Sequence, residues 1–72
     1  MTIEFITTYG DYIKQWPNWS GVVPMIGDEI LLHFGDNNER EVRYKVRNRV
    51  ISGTEPDKVV LYIEVNNLTT IR

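Results

Sequence analysis

The chain has no cysteine among its 72 residues. That excludes disulfides and thiolate zinc sites together. Exported domains this small usually depend on such staples, so their absence points to a reducing, cytoplasmic setting. Histidine is nearly as scarce, with His33 standing alone, and serine is limited to Ser20 and Ser52, neither in a nucleophile-elbow context. Nucleophilic hydrolysis therefore has no obvious nucleophile and base to use. Asp28 and Glu29 are adjacent, and on a strand adjacent side chains point to opposite faces, so they cannot act as a carboxylate pair. No phosphate-cradling glycine loop and no metal-ligand spacing occurs. The sequence reads as non-catalytic, with no cofactor and no metal.

Long apolar runs are missing as well. The longest, Val22 to Ile26 and Val59 to Ile63, are far too short to span a bilayer. The N-terminal residues lack the basic region and long apolar core of a signal peptide, so a soluble, cytoplasmic protein without membrane contact is expected. Nor is there an overall basic excess: the net charge of −2 excludes a general coat for polyanions.

What is present suffices for one small domain over residues 1–72. The hydrophobic fraction of 42% and charged fraction of 25% are those of a globular chain and too apolar for disorder. The strongest pattern lies in Glu39 to Ile51. From Glu41 to Arg47, Glu41, Arg43, Lys45 and Arg47 alternate strictly with Val42, Tyr44 and Val46. A period of two is a strand with one wet and one buried face.

Four further stretches read as strands. Thr2 to Thr8 is β-branched and aromatic, with Ile3 and Phe5 on one face. Gly10 turns the chain into Tyr12 to Trp16, which reads as a second strand, a short helix over Asp11 to Trp16 being the competing reading. Pro17 to Gly27 is rich in breakers yet holds Val22, Val23, Met25 and Ile26, so it is a crossing loop laid over an open edge of the core. Asp28 to Phe34 sets Ile30, Leu32 and Phe34 against Glu29, Leu31 and His33, and Gly35 to Asn38 joins it to the central strand as a hairpin loop. After a turn over Ser52 to Asp57, Lys58 to Val65 places Val59, Leu61, Ile63 and Val65 on one face. Leu68 to Arg72 is a tail or a short edge strand.

Five strands joined by short turns predict an all-β meander, mostly antiparallel, curled into a small SH3-like barrel. Asn48 supports the curl. Uninterrupted alternation would drive it into the core between Val46 and Val50, and a bend or bulge near it removes that conflict.

Val23 to Ile30 (Val-Pro-Met-Ile-Gly-Asp-Glu-Ile), followed by Tyr44 to Val50 (Tyr-Lys-Val-Arg-Asn-Arg-Val), resembles a pattern in short uncharacterised bacterial proteins. They read Pro-x-x-Gly-Asp/Glu-x-Ile/Val, a strand, a turn, then Tyr-x-Val and another strand. The resemblance implies a small SH3-like barrel and carries no catalytic residue.

Two groups remain as candidate sites. Residues 40–49 hold five cations and one acid, a local +4, leaving −6 for the rest of the chain. Arg43, Lys45 and Arg47 would project from one face at ~6.8 Å intervals, and with Arg49 they form a row able to follow a phosphate backbone, Tyr9, Tyr12, Trp19 or Tyr62 adding a stacking surface. The plainer reading is a solvated face neutralised across strands by Glu4, Glu29 and Glu64. The second group is Trp16-Pro17-Asn18-Trp19, either a plug for an open barrel end or a contact surface. The sequence favours a non-catalytic protein-interaction or assembly module, its partner another protein or a second copy; the alternative is a weak nucleic-acid-binding barrel using the basic row.

Overall fold

Four stretches in which apolar side chains recur at or near every second position, and a fifth folded back by the turn at Gly10, form five strands. A computed structural model describes residues 1–52 and 57–66 of the chain. The strands are β1 (Thr2–Thr7), β2 (Tyr12–Trp16), β3 (Glu29–Phe34), β4 (Arg40–Ile51) and β5 (Lys58–Val65). No helix occurs among the described residues, so the competing helical reading of Asp11 to Trp16 gives way to a strand. Pro17 removes a backbone donor immediately after it and disfavours the helical region for Trp16, which leaves an extended segment to pair with β1. The expected tail over Leu68 to Arg72, and residues 53–56 of the β4–β5 turn, lie outside the described residues.

The strand order is β2-β1-β5-β4-β3, which is not the simple meander that short turns suggested. Three pairings are antiparallel, but β1 runs parallel to β5, with Ile3 beside Val59 and Phe5 beside Leu61. The crossing loop is the reason. It carries the chain from β2 at one edge to β3 at the other, so β4 and β5 fold back inward and β5 fills the middle.

The inner face holds the core: Ile3, Phe5, Leu32, Tyr44, Val46, Val59, Leu61 and Ile63 are all buried. Fully burying one such large aliphatic or aromatic side chain is worth ~1.5–3 kcal/mol. The sheet curls around this core until its two edges approach. Lys14 Nζ of β2 lies 5.5 Å from the ring centroid of Phe34 in β3 and donates to the His33 carbonyl at 3.3 Å. The edges do not pair with each other, so the fold is an open half-barrel with a seam between β2 and β3.

The crossing loop covers the core as its apolar content required. Pro24 is buried, and Trp19 and Val23 pack on the core cluster. Its exit is a tight turn in which the Asp28 N–H donates to the Met25 carbonyl at 3.0 Å and the Met25 N–H donates to the Asp28 carboxylate at 2.8 Å. Gly27, with φ +97°, holds the third position of that turn, where positive φ is required. A Cβ there meets nothing within 4 Å, so substitution tests the backbone alone. Gly27→Ala is expected to lower the unfolding free energy in urea by about 1–2 kcal/mol with an unchanged m-value; an unchanged midpoint would refute the turn's role.

β4 carries the predicted irregularity. The register of β4 on β5 shifts between Val46 and Asn48, with Arg47 as the extra residue. Asn48 therefore sits opposite Tyr62 and is exposed, as its polarity demanded. The same shift exchanges the faces of everything that follows. Arg49 now lies opposite the buried Leu61, and Ile51 opposite the buried Val59.

Candidate functional site

The bulge divides the basic row. Arg43 and Lys45 stand on the outer face, where β3 and β5 place Glu29 and Glu64 on either side of Lys45. Arg43 Nη1 lies 3.2 Å from Glu29 Oε1, and Arg47 Nη2 lies 3.3 Å from Glu64 Oε2. Arg49 is not part of the row. It follows the bulge onto the inner face, where its Nε is buried and has no hydrogen-bond partner among the described residues. Two further pairs lie among the described residues: Lys58 Nζ with Glu4 Oε1 at 3.1 Å, and His33 Nε2 with Glu41 Oε2 at 3.2 Å. Such partly exposed pairs contribute little stability, typically ~0–1 kcal/mol each. Their consequence is electrostatic, since the alternation of signs weakens any continuous positive track.

The two tryptophans have separate environments. Trp19 packs on the core, donates from Nε1 to the Val22 carbonyl at 3.2 Å and from its backbone to the Met1 carbonyl at 2.9 Å. Trp16 ends β2 at the sheet edge, is 45% exposed, and meets the Trp19 ring edge-on at 5.3 Å between centroids. Trp19 thus closes the barrel wall and holds Trp16 in place, while Trp16 keeps an open face beside the seam.

The seam encloses a cleft of about 200 Å³ lined by Lys14, Trp16, Leu31, Leu32, His33 and Asn38. A larger cavity of about 440 Å³ opens near the β1–β2 turn over Ile13, Tyr44, Ile63 and Val65. Its one carboxylate, Glu64, is engaged by Arg47. The one displaced carboxyl among the described residues is that of Glu39, held below its usual range by the Asn37 backbone N–H and then by its own. No cluster of three or more metal-ligating side chains occurs among the described residues. No helix of the described residues is long and apolar enough to cross a membrane.

Sequence reasoning missed the inward turn of Arg49 and the seam. The first had a signal, because a bulge that frees Asn48 from the core must also redirect the next odd-numbered side chain. The second had none, since alternation names a strand's face and not its neighbours. No protein-family model, curated protein or solved structure matches the chain.

Proposed function

We propose that this chain is a non-catalytic protein-interaction or assembly module working in the cytoplasm. The observation that carries the reading is the seam: two strand edges left unpaired by one another, with the half-exposed Trp16 beside them. Unpaired edges supply backbone donors and acceptors that another polypeptide can satisfy, and Trp is the side chain most often found at the centre of such contacts. A nucleic-acid-binding barrel is the weaker reading, because Arg43 and Arg47 are already paired with acids and Arg49 faces inward.

A photo-crosslinking residue placed at position 16 is expected to trap protein adducts in cells, and the same residue at position 45 on the outer face is not. Fluorescence anisotropy with single-stranded RNA and DNA at about 50 mM salt is expected to show no binding. Binding that declines with salt by ~0.7 log units per log[salt] for each phosphate contacted would replace the assembly reading with the nucleic-acid one.

A further inference from the structure

The two edges of the seam are not equivalent. β2 is blunted: its pairing with β1 shifts at Ile13, and Pro17 follows Trp16 without a backbone donor. β3 pairs with β4 over its whole length without a shift. Its His33 carbonyl accepts a hydrogen bond from Lys14 across the seam, so it is turned away from β4. In an antiparallel ladder alternate residues face the same side. The backbone groups of Glu29 and Leu31 therefore point to the open edge with those of His33. The complementary set agrees, since Val46 exchanges backbone hydrogen bonds with Gly27 and Asp28, in phase with Ile30 and Leu32.

These three residues form a symmetric sequence about Leu31, with an acid two positions before it and an imidazole two positions after. We infer that β3 is a homodimerisation edge, pairing antiparallel with β3 of a second copy around a two-fold axis at Leu31. This rests on the assembly reading above and assigns its partner. In that register Leu31 faces its own copy and Glu29 faces His33 of the second copy, twice by symmetry. About six backbone hydrogen bonds join the edges, two for each facing pair.

The charges support this partner over an unrelated strand. On each molecule Glu41 already pairs with His33, and Glu29, engaged by Arg43 and Asn66, lies opposite Lys45 in the register. Joining two copies extends each into a row across the new sheet: Glu41, His33, then Glu29 and Lys45 of the second copy. Along the row each carboxylate meets a nitrogen-bearing partner, an imidazole or an ammonium, and such complementary pairs on facing strands are the favourable arrangement. Between the two rows the half-exposed Leu31 side chains meet, removing from water an apolar group that the monomer leaves at its edge. Lys14 gives up its contact with the His33 carbonyl to a backbone N–H of the second copy.

Analytical ultracentrifugation from about 1 µM to about 1 mM, the span of weak interfaces, tests the proposal. Wild type is expected to show a monomer–dimer equilibrium. Leu31→Lys is expected to be monomeric throughout, with circular dichroism and thermal unfolding like wild type because position 31 faces solvent. Glu29→Lys, which removes the carboxylate facing His33, and His33→Glu, which sets two carboxylates opposite each other, are each expected to weaken association by about tenfold or more. Their equimolar mixture is expected to recover a heterodimer in native mass spectrometry, since each mismatch is then opposed by its complement. A dimer indifferent to Leu31→Lys would overturn the β3 assignment and leave the assembly reading standing. A monomer at every concentration would overturn the homodimer, and the crosslinks at position 16 would then decide the assembly reading separately.

Discussion

Phe5→Ala is expected to unfold the protein or bring it close to unfolding at room temperature. Phe5 is 1% exposed and sits in β1 between Lys14 of β2 and Leu61 of β5, in the middle of the sheet. Truncating a buried phenylalanine costs ~3–5 kcal/mol, the transfer term plus the cavity left behind. A chain of this length has roughly 4–11 kcal/mol in total. At ~4–8 °C per kcal/mol, the thermal midpoint should fall by at least about 12 °C. Phe5→Leu, which keeps most of the volume, should cost about 1.5 kcal/mol or less. If Phe5→Ala costs no more than Phe5→Leu in urea unfolding, the centre of the sheet is not the closed core described above.

Arg49→Met should have the opposite sign. The Arg49 Nε is buried without a hydrogen-bond partner among the described residues, and an unsatisfied buried donor costs ~1–3 kcal/mol. Methionine keeps the unbranched stem against Leu61 and removes the donor. A gain of about 1–3 kcal/mol in unfolding free energy is therefore expected, read as a higher urea midpoint with an unchanged m-value. Arg49→Lys separates the causes, because lysine keeps the positive charge and removes the Nε. If both variants are destabilised, the charge or the remaining guanidinium nitrogens contribute more than the buried Nε costs.

These two positions also show how far the sequence could be read. Phe5 was legible because Ile3 and Phe5 share a face across Glu4, and strict alternation leaves a short strand no other way to bury them. The same logic located β3, β4 and β5 and the bend at Asn48, while β2 was legible from the turn at Gly10 that folds it back. Arg49 was grouped with Arg43, Lys45 and Arg47 because sequence spacing alone puts them on one face, and that holds only while the pleat is unbroken. One inserted residue at Arg47 reverses it. The parallel contact of β1 with β5 was illegible for a different reason. A strand's pattern records how deeply it is buried and says nothing about which strand lies beside it, so a meander and the observed order read alike. The seam followed from that order and was hidden with it. Trp16 and Trp19 were recognised as a pair, but their division into an exposed and a packed ring depended on where β2 ends.

The parallel contact between β1 and β5 also sets the order in which the protein can be finished on the ribosome. Thr2 is placed beside Lys58, so β1 waits for β5 before its second edge is covered. Until then β1 has only β2 beside it, and an isolated two-stranded hairpin is marginal in water. Closing so long a loop is also a slow step in β folding. The nascent chain should therefore remain sensitive to protease until β5 has cleared the exit tunnel, and then become resistant in a single step.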